Sequence, residues 1–210
     1  MKAVSPEKVE RRAKARSATR AAILDAARRV AGREGARNLS LRAAAKEAGF
    51  APAALYGYFG NKDELLLAVA EATNDVVLEG QRVLFDGLGC WSGLTQWMDA
   101  LVDMQTRLDG RGGCPIANLV TQLGERDEDI RVELAQGFDR WEAAIRAGFA
   151  AMVAAGELRP DTDVGWLASS TLASVQGGLV LTQAHRDPRA LRRALDGALA
   201  LISSFRAESL

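Results

Sequence analysis

The sequence predicts an all-α fold of about nine helices in two unequal parts, a short N-terminal group that holds a helix-turn-helix and a larger helical remainder. Alanine supplies 38 of the 210 residues, and the five prolines, at positions 6, 52, 115, 160 and 188, leave long stretches of strong helix formers between them. Apolar residues recur at three- and four-residue spacing, and the period-two alternation of half-buried strands is nearly absent. No repeat of solenoid length is present.

The elements follow in order. Residues 1–17 are charged without a persistent apolar period, which predicts a mobile basic arm with at most partial helix. Thr19 opens a helix in which Ile23, Leu24, Ala27, Val30 and Ala31 recur on one face, and Gly35 stops it. Ser40 caps a short helix from Leu41 to Ala48, ended by Gly49. After the tight turn Gly49-Phe50-Ala51, a third helix begins at Pro52, a residue suited to a first helical turn, and runs to about Tyr58. Asn61 caps a longer fourth helix with Leu65, Leu66, Val69, Ala72, Val76 and Val77 inward. Gly-rich loops at 87–93 and 110–113 flank a helix over about 94–108. Further amphipathic stretches cover roughly 115–123, 128–155, 163–185 and 188–205.

Composition removes several classes of function. With 27 Lys+Arg against 27 Asp+Glu and 48% hydrophobic residues, the chain suits neither a disordered polyelectrolyte nor a membrane protein. No uninterrupted apolar run reaches the roughly 18 residues that a span requires, so no membrane partner is expected. Two cysteines cannot build a disulfide framework, and the residues after Met1 are charged where a signal core would be apolar, so a cytoplasmic protein is expected. Motifs of the types HExxH, CxxC and GxSxG and a Walker loop are missing, which argues against an enzyme. The single histidine, His185, falls near a helix end and reads as a capping or surface residue, and no metal or cofactor is expected.

Charge is distributed unevenly. Residues 1–62 carry 14 Lys/Arg and 5 Asp/Glu, a net of +9, and the remainder carries 13 and 22, a net of −9. A basic block of this kind is the footprint expected for a polyanion, because cations brought to phosphates release condensed counterions. Two short helices joined by a glycine-containing turn inside that block form a helix-turn-helix, whose second helix enters the major groove of double-stranded DNA.

The stretch LSLRAAAKEAGF-APAALYGYFGNKDELL resembles the TetR/AcrR family of bacterial one-component transcriptional repressors. The pattern LY-x-[HY]-F-x-x-K-[DE]-x-L reads here as Leu55, Tyr56, Tyr58, Phe59, Lys62, Asp63 and Leu65, with Arg42 and Gly49 in register. The likeness covers about residues 18–66, and residues 67–210 are similar to the ligand-binding and dimerisation region of such proteins. The segment GCPIANL, followed by Phe138 and Trp141, is similar to a subgroup with LmrA-like C-terminal domains.

The resemblance implies roles for individual residues. Tyr56 and Lys62 match positions that meet phosphates, and Arg42 matches one that reaches a base edge, where a guanidinium pairs bidentately with guanine. Pro52, Ala54 and Gly57 occupy the exposed positions of the recognition helix, and Tyr58 is placed to reach phosphate or base. Ala51 stands where Ser or Thr usually caps that helix, and Ala53 where Gly is frequent, which leaves its capping open and points to weak direct readout. Leu55 and Phe59 are expected in the core. In the arm, Lys8, Arg11, Arg12, Lys14 and Arg16 suit either a minor groove or a solvated tail.

For the C-terminal part, Phe138, Trp141, Ile145 and Phe149 share a helical face, as do Trp97, Leu101 and Met104. With Cys114 and Gln176 they are the candidate pocket for a small lipophilic or aromatic effector, the alternative being that the aromatic stripes are plain core. Leu172, Val175, Leu179, Leu191, Leu195, Leu199 and Ile202 are expected to form a four-helix homodimer interface that sets two heads on the half-sites of a palindromic operator. Cys114, before Pro115, is a candidate helix N-cap whose thiol the helix terminus could acidify, so an electrophile- or oxidant-triggered regulator is an alternative, against a buried, inert cysteine as the favoured reading. Cys90 carries less weight. Two further alternatives are an all-α enzyme acting on a hydrophobic molecule, for which no nucleophile–base pair is visible, and a dimeric scaffold binding protein through its acidic half.

Overall fold

The computed structural model describes residues 6–207, and among these the chain forms ten α-helices and no strand. They are α1 (Pro6–Glu34), α2 (Leu41–Ala48), α3 (Pro52–Leu55), α4 (Lys62–Glu79), α5 (Arg82–Asp86), α6 (Trp91–Arg107), α7 (Pro115–Leu123), α8 (Glu128–Ala154), α9 (Val164–His185) and α10 (Arg189–Ser203). A 3-10 turn at Ala36–Asn38 follows α1, and an isolated bridge pairs Leu158 with Arg206. The short α5 is an addition to the nine expected helices. The chain divides into two compact units. Unit 1 comprises the chain up to Thr73 with Gln122–Glu133, and unit 2 comprises Asn74–Thr121 with Leu134–Leu210.

In unit 1, α1 begins at Pro6 and runs unbroken through Thr19, so the described part of the expected arm is helical. Lys, Arg, Glu and Ala are strong helix formers, and Glu7/Arg11 and Glu10/Lys14 stand at the four-residue spacing that supports a solvated helix without an apolar face. Residues 1–5 of that arm lie outside the described residues. From Arg20 onward α1 buries Ile23, Ala26, Ala27 and Val30. Ala44 and Ala45 of α2 are fully buried, and small side chains of this kind let helices approach closely. Leu55, Phe59, Leu65 and Val69 complete the core.

The punctuation follows the sequence. The Ser40 hydroxyl accepts a hydrogen bond from the Ala43 N–H at 3.1 Å, and the Asn61 carboxamide oxygen accepts one from the Glu64 N–H at 2.8 Å. Gly49 ends α2 in the left-handed region, φ 75°, where a side chain is disfavoured. The Gln122 side-chain oxygen accepts from the Ala36 N–H at 2.7 Å, and the Arg37 guanidinium donates to the Gln122 carbonyl at 2.8 Å.

In unit 2, α6 contributes Leu94, Trp97, Met98 and Leu101 to the core, and α8 contributes Leu134, Trp141, Ile145, Phe149 and Met152. The antiparallel pair α9 and α10 packs through Leu172, Val175, Leu179, Leu191, Leu195 and Ile202. Gly178 makes this closeness possible: a Cβ there would lie 3.0 Å from both the Leu191 Cα and the Ala194 Cβ. The buried Leu191 N–H donates to the Thr182 hydroxyl at 3.0 Å. One helix, α9, is long and apolar enough to cross a membrane by length and composition alone, with mean hydropathy 1.3 over its window, although Ser, Thr and Gln interrupt its apolar run. It carries no charged residue from Val164 to Ala184.

Gly178→Ala should therefore lower stability by about 1–3 kcal/mol through overpacking. Gly197→Ala, at an exposed position of α10 with open space around it, should raise stability by roughly 0.5–1 kcal/mol through helix propensity. Urea unfolding of the two variants measures both, and equal effects would contradict the packing described.

Candidate functional site

The α3 helix has four residues, too short to be stable alone, so its position depends on what surrounds it. Leu55 at its end and Phe59 just beyond are 0% and 1% exposed and anchor it. Arg16 of α1 donates from its guanidinium to the Gly57 carbonyl at 2.7 Å and lies over the Tyr58 ring, 5.3 Å from its centre. Arg20 lies over the Phe59 ring at the same distance. The sequence pattern does not assign this role to either arginine. Their four-residue spacing from each other was the available signal.

The anchoring leaves one surface open. Arg42, Ala51, Pro52, Ala53, Ala54, Tyr56, Gly57 and Lys62 are all exposed, Tyr56 at 62%, and Tyr58 is half-buried beneath Arg16. The Ala51 side chain supplies no cap, as expected for a methyl group, and Pro52 lacks one of the N–H groups a cap would serve. The Lys62 ammonium donates to the Arg37 carbonyl at 2.8 Å, which uses one of its three donors and leaves two for an anion. The surface can therefore offer a guanidinium, a phenol and an ammonium beside a bare, small-residue helix. That chemistry suits phosphates and groove edges.

In unit 2 the expected effector residues behave differently from one another. Trp97, Leu101, Trp141, Ile145 and Phe149 are buried, and Phe138 and Gln176 are half-buried. Met104 is 39% exposed, because the inward row of α6 repeats every four residues, through Trp97, Leu101 and Gln105. Gln105, absent from the expected pocket, is fully buried. Neither polar atom of its carboxamide has a hydrogen-bond partner, and the Trp141 indole N–H also lacks one. The Trp97 indole, by contrast, donates to Gln81 at 3.0 Å. A cavity of about 420 Å³ opens beside Asp75, Leu78, Glu79, Arg82, Phe85, Arg140 and Ala144, and none of the expected pocket residues lines it.

Cys114 follows the buried reading, and the acidified alternative is not supported. Cys114 does precede α7, and its carbonyl accepts from the Asn118 N–H at 3.0 Å. Its side chain is only 4% exposed, and burial pushes the thiol up, outweighing the polar groups of Ile116, Ala117 and Gln176. Cys90, at the N-terminus of α6, is half-buried, and its thiol is held below the ordinary range chiefly by the Ser92 hydroxyl and the Gly93 backbone. His185 is exposed at the last residue of α9.

The dimer expectation also needs correction. Leu172, Val175, Leu179, Leu191, Leu195 and Ile202 are buried within their own chain, between 0% and 7% exposed, and Leu199 is half-buried. Side chains already covered by α9–α10 packing have no free surface for a partner. The exposed face of α9 is a different row, through Trp166, Ser169, Ala173, Gly177, Val180 and Leu181.

This combination of fold and surface defines a helix-turn-helix DNA-binding protein with a helical C-terminal domain. Residues 23–69 match the model of the bacterial regulatory proteins of the tetR family, and residues 91–198 match that of the tetracyclin repressor-like C-terminal domain. The chain belongs to the TetR family of transcriptional regulators, which are DNA-binding transcription factors and not enzymes. An uncharacterized HTH-type transcriptional regulator of Lactococcus lactis is 27% identical over 183 residues, 85% of this chain and 90% of that protein. The TetR-family regulator of Cytophaga hutchinsonii superposes with a TM-score of 0.79 at 21% identity, covering 99% of this chain and 100% of that one. The regulatory protein TetR of Rhodobacter sphaeroides gives 0.72 at 21% identity, covering 84% and 95%.

Alkylation by iodoacetamide near neutral pH, followed by mass spectrometry of the folded protein, should label Cys90 well before Cys114. The thiolate is the reactive form, and Cys90 holds more of it. Faster labelling of Cys114 would contradict the burial described.

Proposed function

We propose that the protein is a homodimeric, cytoplasmic repressor that binds a palindromic operator and releases it when a small molecule occupies unit 2. The uncharged exposed row of α9 carries the dimer. A helix of 22 residues whose solvent face reads Trp166, Ser169, Ala173, Gly177, Val180, Leu181 leaves apolar area open to water, and a second copy covers it through a self-complementary two-fold contact. Two heads then meet half-sites about one turn apart, roughly 34–36 Å.

On each half-site, Arg42 reads a base edge from the start of α2, and Tyr56 and Lys62 fix the register through phosphates. Pro52, Ala54 and Gly57 allow close approach, and Tyr58 and Ala51 line the same contact. With so little hydrogen-bonding capacity on α3, DNA shape carries part of the specificity.

The effector is held among Trp97, Leu101, Trp141, Ile145 and Phe149, with Phe138, Cys114 and Gln176 at the margin. The unpartnered Gln105 carboxamide and Trp141 indole N–H support an aromatic or lipophilic body that also carries a hydrogen-bonding group, since an orphaned buried polar group costs about 1–3 kcal/mol until it is met. The alternative trigger, electrophile attack on Cys114, is disfavoured by the burial that keeps its thiol neutral. Full release from the operator, a swing from 1:99 to 99:1, requires the effector to favour the non-binding state by about 5.5 kcal/mol.

Val180→Glu with Leu181→Glu places two carboxylates on the proposed interface. Light scattering should show the mass fall to that of the 22.5 kDa chain, and affinity for DNA from upstream of the protein's own gene should drop about 10²-fold as the second head is lost. A variant that remains dimeric would move the interface away from α9.

A further inference from the structure

The first four turns of α1 pose a separate question, because they extend beyond the part of the helix that packs in the core. At 100° per residue, Lys8, Arg12, Arg16 and Arg20 follow one another along one side of the helix. That side continues directly into the buried row of Ile23, Ala27 and Val30. Arg16 and Arg20 define where it points, since Arg16 donates to the Gly57 carbonyl and both lie over the rings of Tyr58 and Phe59. Lys8 and Arg12 therefore carry on, turn by turn, from the end of the recognition helix.

The two sides of this segment differ in charge balance. Glu7 and Glu10 lie on the side away from Lys8 and Arg12, each four residues before a cation, Arg11 and Lys14 respectively. The Lys8/Arg12/Arg16 side has no acidic residue within its own row. Both Lys8 and Arg12 are exposed, and no carboxylate lies at ion-pair distance from either among the described residues. A solvated tail has no reason to segregate its charges in register with the turn that presents Tyr56, Gly57 and Tyr58.

We propose that the helical stripe of Lys8, Arg12 and Arg16 lies along the phosphate backbone beside the groove that receives α3, extending the DNA contact outward from each half-site. From Lys8 to Arg16 the helix rises about 12 Å, enough to follow roughly three phosphates of one strand. Because phosphates carry no base identity, the stripe adds affinity and salt dependence without sequence preference. It holds the duplex as a rigid helical edge, in place of the flexible arm that the sequence predicts.

The test compares two charge-matched double variants in the full chain, Lys8→Ala with Arg12→Ala and Arg11→Ala with Lys14→Ala. All four changes favour helix, so folding is preserved. Fluorescence anisotropy with a random-sequence duplex of about three turns is followed from about 50 to 200 mM salt. The proposal expects the stripe pair to flatten the slope of log K against log salt by about 1.8 per bound protomer, at about 0.9 per lost phosphate contact, and the Arg11/Lys14 pair, of which only Arg11 neighbours the stripe, to flatten it clearly less. The same proportional loss should appear on DNA from upstream of the protein's own gene. An unchanged slope for the stripe pair overturns the proposal. Equal flattening by both pairs also overturns it, because a diffuse basic field would not distinguish the two sides of one helix. Wild-type binding in the same titration reports separately on the helix-turn-helix.

Discussion

A recognition helix of four residues has almost no stability of its own, and this constraint shapes the rest of unit 1. Leu55 and Phe59 hold α3 from below, Arg16 holds the Gly57 carbonyl from the side, and the left-handed Gly49 turns the chain into it. With those contacts made, the residues of the α2–α3 surface proposed to meet DNA are left exposed, apart from the half-buried Tyr58. The fully buried Ala26, Ala27, Ala44 and Ala45 let α1 and α2 pack closely together. The interface is thus set by packing beneath it more than by the groups it displays.

Unit 2 is organised around two different uses of apolar surface. Its interior is sealed by aromatic and aliphatic rows on α6 and α8 and by the α9–α10 pair. Within that interior sit polar groups without partners, the Gln105 carboxamide and the Trp141 N–H, in contrast to the satisfied Trp97 indole. On the outside, the uncharged row of α9 stays in water. Polar groups lacking a partner inside and an apolar face lacking one outside are the two features from which the effector and dimer proposals are built.

The sequence was informative where local chemistry decides the outcome. Ser40, Gly49, Pro52 and Asn61 mark helix ends through capping and backbone freedom, and each does so in the structure. The buried Leu55 and Phe59 and the exposed Arg42, Tyr56 and Lys62 are where the family resemblance implies them. Register at a distance was less legible. Apolar periodicity identifies inward rows without saying what covers them, so the leucines of α9 and α10 read equally well as an interface and as the internal contact they form. The same ambiguity assigned Met104 to the row that Gln105 occupies. Cys114 shows a further limit: its position before Pro115 is readable, but the burial that overrides the helix terminus is not. The helical state of residues 6–17 is not legible in the sequence, because a solvated helix has no apolar stripe.

The central claim is that the exposed α2–α3 surface reads a specific DNA sequence through Arg42. Its most direct test is fluorescence anisotropy of the wild type and Arg42→Ala on a duplex from upstream of the protein's own gene and on a scrambled duplex of equal length. The account predicts that the wild type prefers the upstream duplex and that Arg42→Ala loses about 1–3 kcal/mol on that duplex, with little change on the scrambled one. Equal losses on both duplexes would reduce Arg42 to a phosphate contact and contradict the assignment of base readout to α2.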